Sequence, residues 1–286
     1  MLVLMGPSFA ATDAEYQRLS KVTGMLTYDL RARIKPGSWG LLKVLGDDTE
    51  AGRFAGALTA EAFPVVTIAR DVAMDPERPI VALRALEIAD QQLTLQLRER
   101  SMQIPVAALC GIVRGEAQVG RAGAARGGGA NAASSSTFRA VVPDASDLQV
   151  FREGAPGGSF EAFAAADLHF HSVTWIARID ARSFDFRALG IGAASPAAAL
   201  DTLADRLALL AKVRVDRNAR TSGINSFTLQ AVKAHGNASP SSPPSMSMSQ
   251  RAKEVSGDDR FDPYSRVIGQ AERLWAAQQA QLERPA

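Results

Sequence analysis

MLVLMGPSFAATDAEYQRLSKVTGMLTYDLRARIKPGSWGLLKVLGDDTEAGRFAGALTAEAFPVVTIAR, residues 1–70, is the stretch whose rhythm decides the fold. Leu2–Met5 is a short apolar run closed by Gly6-Pro7, a strand followed by a turn. Thr12 or Asp13 can cap a helix, because a short oxygen side chain accepts the free amide protons of a first helical turn. Tyr16, Leu19 and Val22 then recur every three residues on one helical face, and Gly24 ends the helix. Tyr28, Leu30, Ala32 and Ile34 alternate, which predicts a strand over Leu26–Lys35. Pro36-Gly37-Ser38 reads as a turn into a second strand, Trp39–Leu45, so the two should form a hairpin. Asp48 or Thr49 caps a second helix with Phe54, Ala55, Leu58 and Ala62 as its inner face. Pro64–Ala69 is β-branched and reads as a closing strand.

The order strand, helix, strand, strand, helix, strand over residues 1–72 resembles the ferredoxin-like layout, which implies a four-stranded antiparallel sheet with both helices on one face. Working outward, residues 78–218 read as a β-rich unit. Ile80–Ile88 and Leu93–Leu97 are strands joined by a turn at Ala89-Asp90-Gln91-Gln92. Leu93, Leu95 and Leu97 alternate with polar neighbours, so one face is buried. Met102–Val113 predicts a third strand bent at Pro105. Residues 115–136, rich in Gly, Ala and Ser, have no apolar period and read as a disordered insert. Strands are expected at Phe138–Val142, Leu148–Phe151, Leu168–His171 and Val173–Ile179. Ser195-Pro196 then opens a helix whose inner face is Leu200, Leu203, Leu207 and Leu210. Strands closed by one such helix resemble a PH-like layout, although the helix serves an open sheet equally well. Residues 234–257 read as a Pro/Ser-rich linker, and 258–286 as an amphipathic C-terminal helix. The fold class expected is α+β.

Composition narrows the function classes. The chain has 286 residues, 32 basic against 30 acidic, and the excess is spread along the chain. No basic stripe of the kind that grips nucleic acid is visible, so no nucleic-acid partner is expected. Cys110 is the single cysteine and excludes an intrachain disulfide. No uncharged apolar run approaches membrane-spanning length, so no membrane insertion is expected. Met1–Ala11 lacks the basic start of a signal peptide, and a cytoplasmic setting follows as an expectation.

Motifs carry little chemistry. Gly190-Ile191-Gly192-Ala193-Ala194-Ser195 leads into a helix, and Asp216 stands at about the spacing of a ribose-binding acid. Yet Ser195 replaces the third glycine and Pro196 removes an amide a pyrophosphate would need, so the run reads as a turn before a capped helix. No cofactor is expected. His169 and His171 share a strand face with Asp167 nearby, a set that can begin a Zn²⁺ or Ni²⁺ site but lacks a third His or Cys ligand. They are retained as a candidate ligand site: Asp167, His169, His171. No nucleophile elbow or phosphate-binding lysine loop occurs, and no catalytic residue is assigned. The C-terminal helix offers a different feature. Tyr264, Val267, Ile268, Leu274 and Trp275 form an apolar stripe after the linker, able to dock in cis or on a protein partner. The sequence therefore favours a non-catalytic, cytoplasmic interaction or regulatory protein with a protein partner. Its alternative is an enzyme or small-ligand-binding protein with a pocket assembled from distant residues near Asp167, His169 and His171.

Overall fold

A computed structural model of the chain describes residues 1–75, 77–120, 160–217 and 261–282. The fold is mixed α+β, and it is built around the C-terminal helix. The first region contains β1 (Leu2–Met5), α1 (Asp13–Thr23), α2 (Thr27–Arg33), β2 (Gly40–Val44), α3 (Asp48–Ala60) and β3 (Val65–Ile68). The caps follow the chemistry read from sequence. Thr12 accepts the Glu15 amide, and Gly24 takes a left-handed φ of 68° to close α1. Asp47, one residue earlier than expected, accepts from the amides of Thr49 and Glu50 to open α3.

The expected strand at 26–35 is helix α2, which corrects the hairpin. Leu30 and Ile34 are both buried, and a four-residue spacing satisfies a helix as well as a strand. The sheet consequently has three strands in the order β2-β1-β3, all antiparallel, and not the four of the ferredoxin-like layout. Its central strand is buried on both faces. Val3 and Met5 pack with Tyr16, Leu19, Leu30 and Leu58, while Leu2 and Leu4 face the C-terminal helix.

The strand expected over Ile80–Ile88 divides into β4 (Ile80–Leu83) and β5 (Ala85–Ala89), which belong to different sheets. β5, β6 (Gln92–Gln96) and β7 (Ser101–Pro105) form an antiparallel meander. Its first turn has positive φ at Asp90 and Gln91, 47° and 61°, as a tight two-residue hairpin turn requires. Pro105 ends β7 instead of bending it, and after one 3-10 turn β8 (Leu109–Gly120) starts in another sheet. Gly115–Gly120, expected within a disordered insert, are the second half of β8 and pair with Phe160–Ala165. The remainder of that insert, the strands expected at 138–142 and 148–151, and the 234–257 linker lie outside the described residues.

β8 and β9 (Phe160–Phe170) are antiparallel, as are β9 and β10 (Ile176–Asp180), and β4 and β11 (Val215–Asp216) join the edges in parallel. The five-stranded order is β11-β8-β9-β10-β4. The two parallel pairs set this sheet apart from the antiparallel meander of a PH-like barrel. Helix α4 (Pro196–Ala211), capped by Ser195 with Pro196 in its first turn, places Leu200, Leu203 and Leu207 on one face against Ile112, Leu168 and Ala177. Helix α5 (Phe261–Leu282) crosses the opposite face and is also covered by the three-stranded sheet. The layers run α1–α3, three-stranded sheet, α5, five-stranded sheet, α4. No helix among the described residues is long and apolar enough to cross a membrane.

Candidate functional site

Strand alternation places the polar side chains. On β9 the even residues Ala166, Leu168 and Phe170 face α4, so Asp167 and His169 face α5. Arg178 stands directly across from Asp167 in the β9–β10 register. Its Nε and Nη2 donate to the two Asp167 oxygens at 2.7 and 2.8 Å, a bidentate pair with both side chains enclosed. Arg178 Nη2 also lies 2.6 Å from Asp262 at the start of α5, and its guanidinium sits over the Phe261 ring at 4.9 Å. The ion pair thus ties the first turn of α5 to the middle of the sheet.

His169 lies one step along β9. Its Nε2 is 3.0 Å from Ser265 Oγ. A Cβ at Gly269 would stand 2.0 Å from His169 Nδ1, so the glycine is what lets the helix ride over the imidazole. Burial, reinforced by the charges of Arg78, Arg273 and Arg178, holds the imidazole well below its ordinary pKa, and it is neutral. The neighbouring strand repeats the device in reverse. Gly111, opposite His169, clears space for Glu272, whose Cγ would meet an added Cβ at 2.8 Å. Burial raises the Glu272 carboxyl, opposed by the hydrogen bond that Trp39 Nε1 donates to Oε1 at 2.8 Å. Tyr264 OH donates to Asp216 Oδ1 at 2.7 Å, which fixes the role of the acid once considered for a ribose.

Further along α5 the charges are less well matched. Arg78 precedes β4 and is 5% exposed, with Nη1 donating to Gln270 Oε1 at 2.9 Å. Its Nε and Nη2 are buried and meet no partner among the described residues. Burial and then the Arg273 charge bring its pKa down to about 10, and the weaker influence of Asp75 opposes them. Arg273 donates from Nη2 to the Val173 carbonyl, and its Nε is likewise buried with no partner among the described residues. Partial burial of the imidazole and then the same charge lower His171, which follows the end of β9. Cys110 occupies the β8 bulge beside this group, donates to the His169 carbonyl at 3.1 Å, and is pushed up to about 11, chiefly by burial. It is a protonated thiol at neutral pH.

The candidate set Asp167, His169 and His171 is therefore split: the first two are structural members of the α5 contact, and His171 lies at the rim near Arg273. No group of three His, Cys, Asp or Glu gathers to hold a metal among the described residues. Of the apolar stripe, Tyr264, Val267 and Ile268 are fully buried against the chain's own sheets, while Leu274 and Trp275 are half-buried in the same cluster. Trp275 meets the Trp39 ring edge-on at 6.5 Å. Sequence reasoning missed Arg78, Gln270, Arg273 and Glu272. The last three lie off the apolar stripe, and a helix covered on two sides encloses them all the same. Comparison with protein-family models, curated proteins and solved structures found no match.

Proposed function

We propose that the chain is a non-catalytic binding protein for a small anion, held where α5 passes the segment before β4 and the end of β9. One observation carries this reading: Arg78 and Arg273 both bury donors that meet no partner among the described residues, and the Arg273 charge is near enough to disfavour that of Arg78. A buried unpaired charge is costly, and a bound anion removes that cost. The site joins residues far apart in sequence beside His169 and His171. Of the enclosed groups beside it, Cys110 stays protonated and His169 is neutral, so neither offers a nucleophile or a charged acid. A cytoplasmic setting, which keeps the one thiol reduced, belongs to the same reading.

Thermal melting of the full chain in phosphate, sulfate and citrate at constant ionic strength tests it. A specific site raises the melting temperature of the wild type with the logarithm of anion concentration and does so far less for Arg273→Met. Melting temperatures that follow ionic strength alone, equally in both proteins, would refute it. A protein partner is the second reading. Leu26 and Tyr28, 71% and 81% exposed at the start of α2, favour it in place of the enclosed α5 stripe. Loss of a specific partner on Tyr28→Ser, with stability unchanged, would support it, and no change in association would count against it.

A further inference from the structure

We propose that the Nε/Nη2 edge of Arg78 is the recognition element of this site and that its ligand is an oxyanion presenting two coplanar oxygens, a carboxylate or a phosphate. The inference rests on the anion-binding reading above and adds the class of ligand. The molecule contains its own template. Arg178 uses its Nε/Nη2 edge to take both oxygens of Asp167 at 2.7 and 2.8 Å. Arg78, further along the same helix, has the same edge buried and unanswered among the described residues, while its Nη1 is held by Gln270. A guanidinium is planar, so fixing Nη1 also fixes the direction of the remaining two-donor edge.

Among the described residues no side chain serves as that edge's Asp167. Asp75, the carboxylate that acts on Arg78, is the weaker influence, and its Oδ1 already accepts the Glu77 amide at 2.9 Å. The Arg273 Nε, also buried and unpartnered, supplies a further donor in the same cluster. Two parallel N–H···O bonds select for geometry as well as for charge, so a spherical anion of equal charge gains much less from this edge. Arg273 is half-buried on α5, so a ligand would reach the enclosed donors past it while Gln270 keeps hold of Arg78.

Calorimetric titration of the full chain with phosphate, acetate and chloride, at matched ionic strength, tests the proposal. The expected result is 1:1 binding of phosphate or acetate that chloride does not displace, with the tighter of the two identifying the group recognised. Arg78→Lys keeps a charge and loses the fork, so it should weaken that binding by about ten-fold or more while the unliganded melting temperature is retained. If chloride competes as well as the oxyanions on the wild type, or Arg78→Lys binds as the wild type does, recognition by the fork is wrong and anion binding by charge alone still stands. If none of the three binds, both readings fail. The chloride arm needs no variant, so misfolding of Arg78→Lys does not shelter the proposal.

Discussion

The two helices that cover the five-stranded sheet meet alternate residues of the same strands, and the two contacts are built from different chemistry. On the α4 side Leu200, Leu203 and Leu207 close on Ile112, Leu168 and Ala177, and the ion pair of Arg114 with Asp201 lies at the partly exposed margin of that contact. On the α5 side one residue further along each strand brings Asp167, His169 and Arg178, met by Asp262, Ser265 and Gly269. An apolar contact gains from every area removed from water and tolerates sliding. A polar contact gains little net stability and admits a single register, because each buried donor must find its acceptor. The difference teaches that burial alone holds most of the α4 contact, whereas α5, which also buries Val267 and Ile268 against Val113 and Ala165, is fixed in register by its polar pairs. Such positioning is what the proposed anion site further along the helix would require.

Breaking the comparison begins with its most costly element. Arg178→Ala leaves the Asp167 carboxylate enclosed without its partner and should cost ~3–5 kcal/mol in urea denaturation. Replacing both, as Asp167→Leu with Arg178→Met, should recover most of that loss, since an apolar pair of similar volume needs no partner. Leu203→Ala on the α4 side should cost ~2–5 kcal/mol. No second polar substitution will restore it, because the loss there is volume. Gly269→Ala should cost ~1–3 kcal/mol through overpacking against the imidazole. Adding His169→Ala should return part of it, a coupling that a double-mutant cycle measures.

The smallest effect is a slope with pH. Burial raises the Glu272 carboxyl in the folded chain, so the folded state holds that proton more tightly than the unfolded one. Its contribution to stability therefore falls as pH rises from the ordinary carboxylate range through the raised value, and is constant above. Glu272→Gln keeps an oxygen for the Trp39 indole and should remove that slope from a series of melts. An unchanged slope would place its origin in another group.

Local signals in the sequence translated well into local structure. Thr12 and Gly24 bound α1, Ser195 and Pro196 open α4, and Asp90-Gln91 make the expected hairpin turn, each through chemistry confined to a few residues. The misreadings arose where one pattern serves two structures. Leu26, Leu30 and Ile34 are four apart, a spacing common to one helical face and one strand face, and only packing beside β2 decides. Gly115–Gly120 lacks apolar alternation because small and polar residues suffice where two long strands pair across eleven positions of β9. The site was the least legible. Arg78 and Gln270 are 192 residues apart, and no spacing rule foretells their bond. Asp167 and His169 stand out as polar residues in an apolar strand, but no spacing rule points to Ser265 and Gly269 on α5, which lie off the apolar stripe of a helix that is covered on two sides.

Hydrogen exchange of the full chain, with and without saturating phosphate, tests the contrast between the two helices most directly. The account predicts slower exchange at the amides of residues 266–273 and 77–80, where the ligand ties α5 to the segment before β4, and unchanged exchange through 196–211 of α4. Protection spread evenly over both helices, or absent from α5, would contradict it.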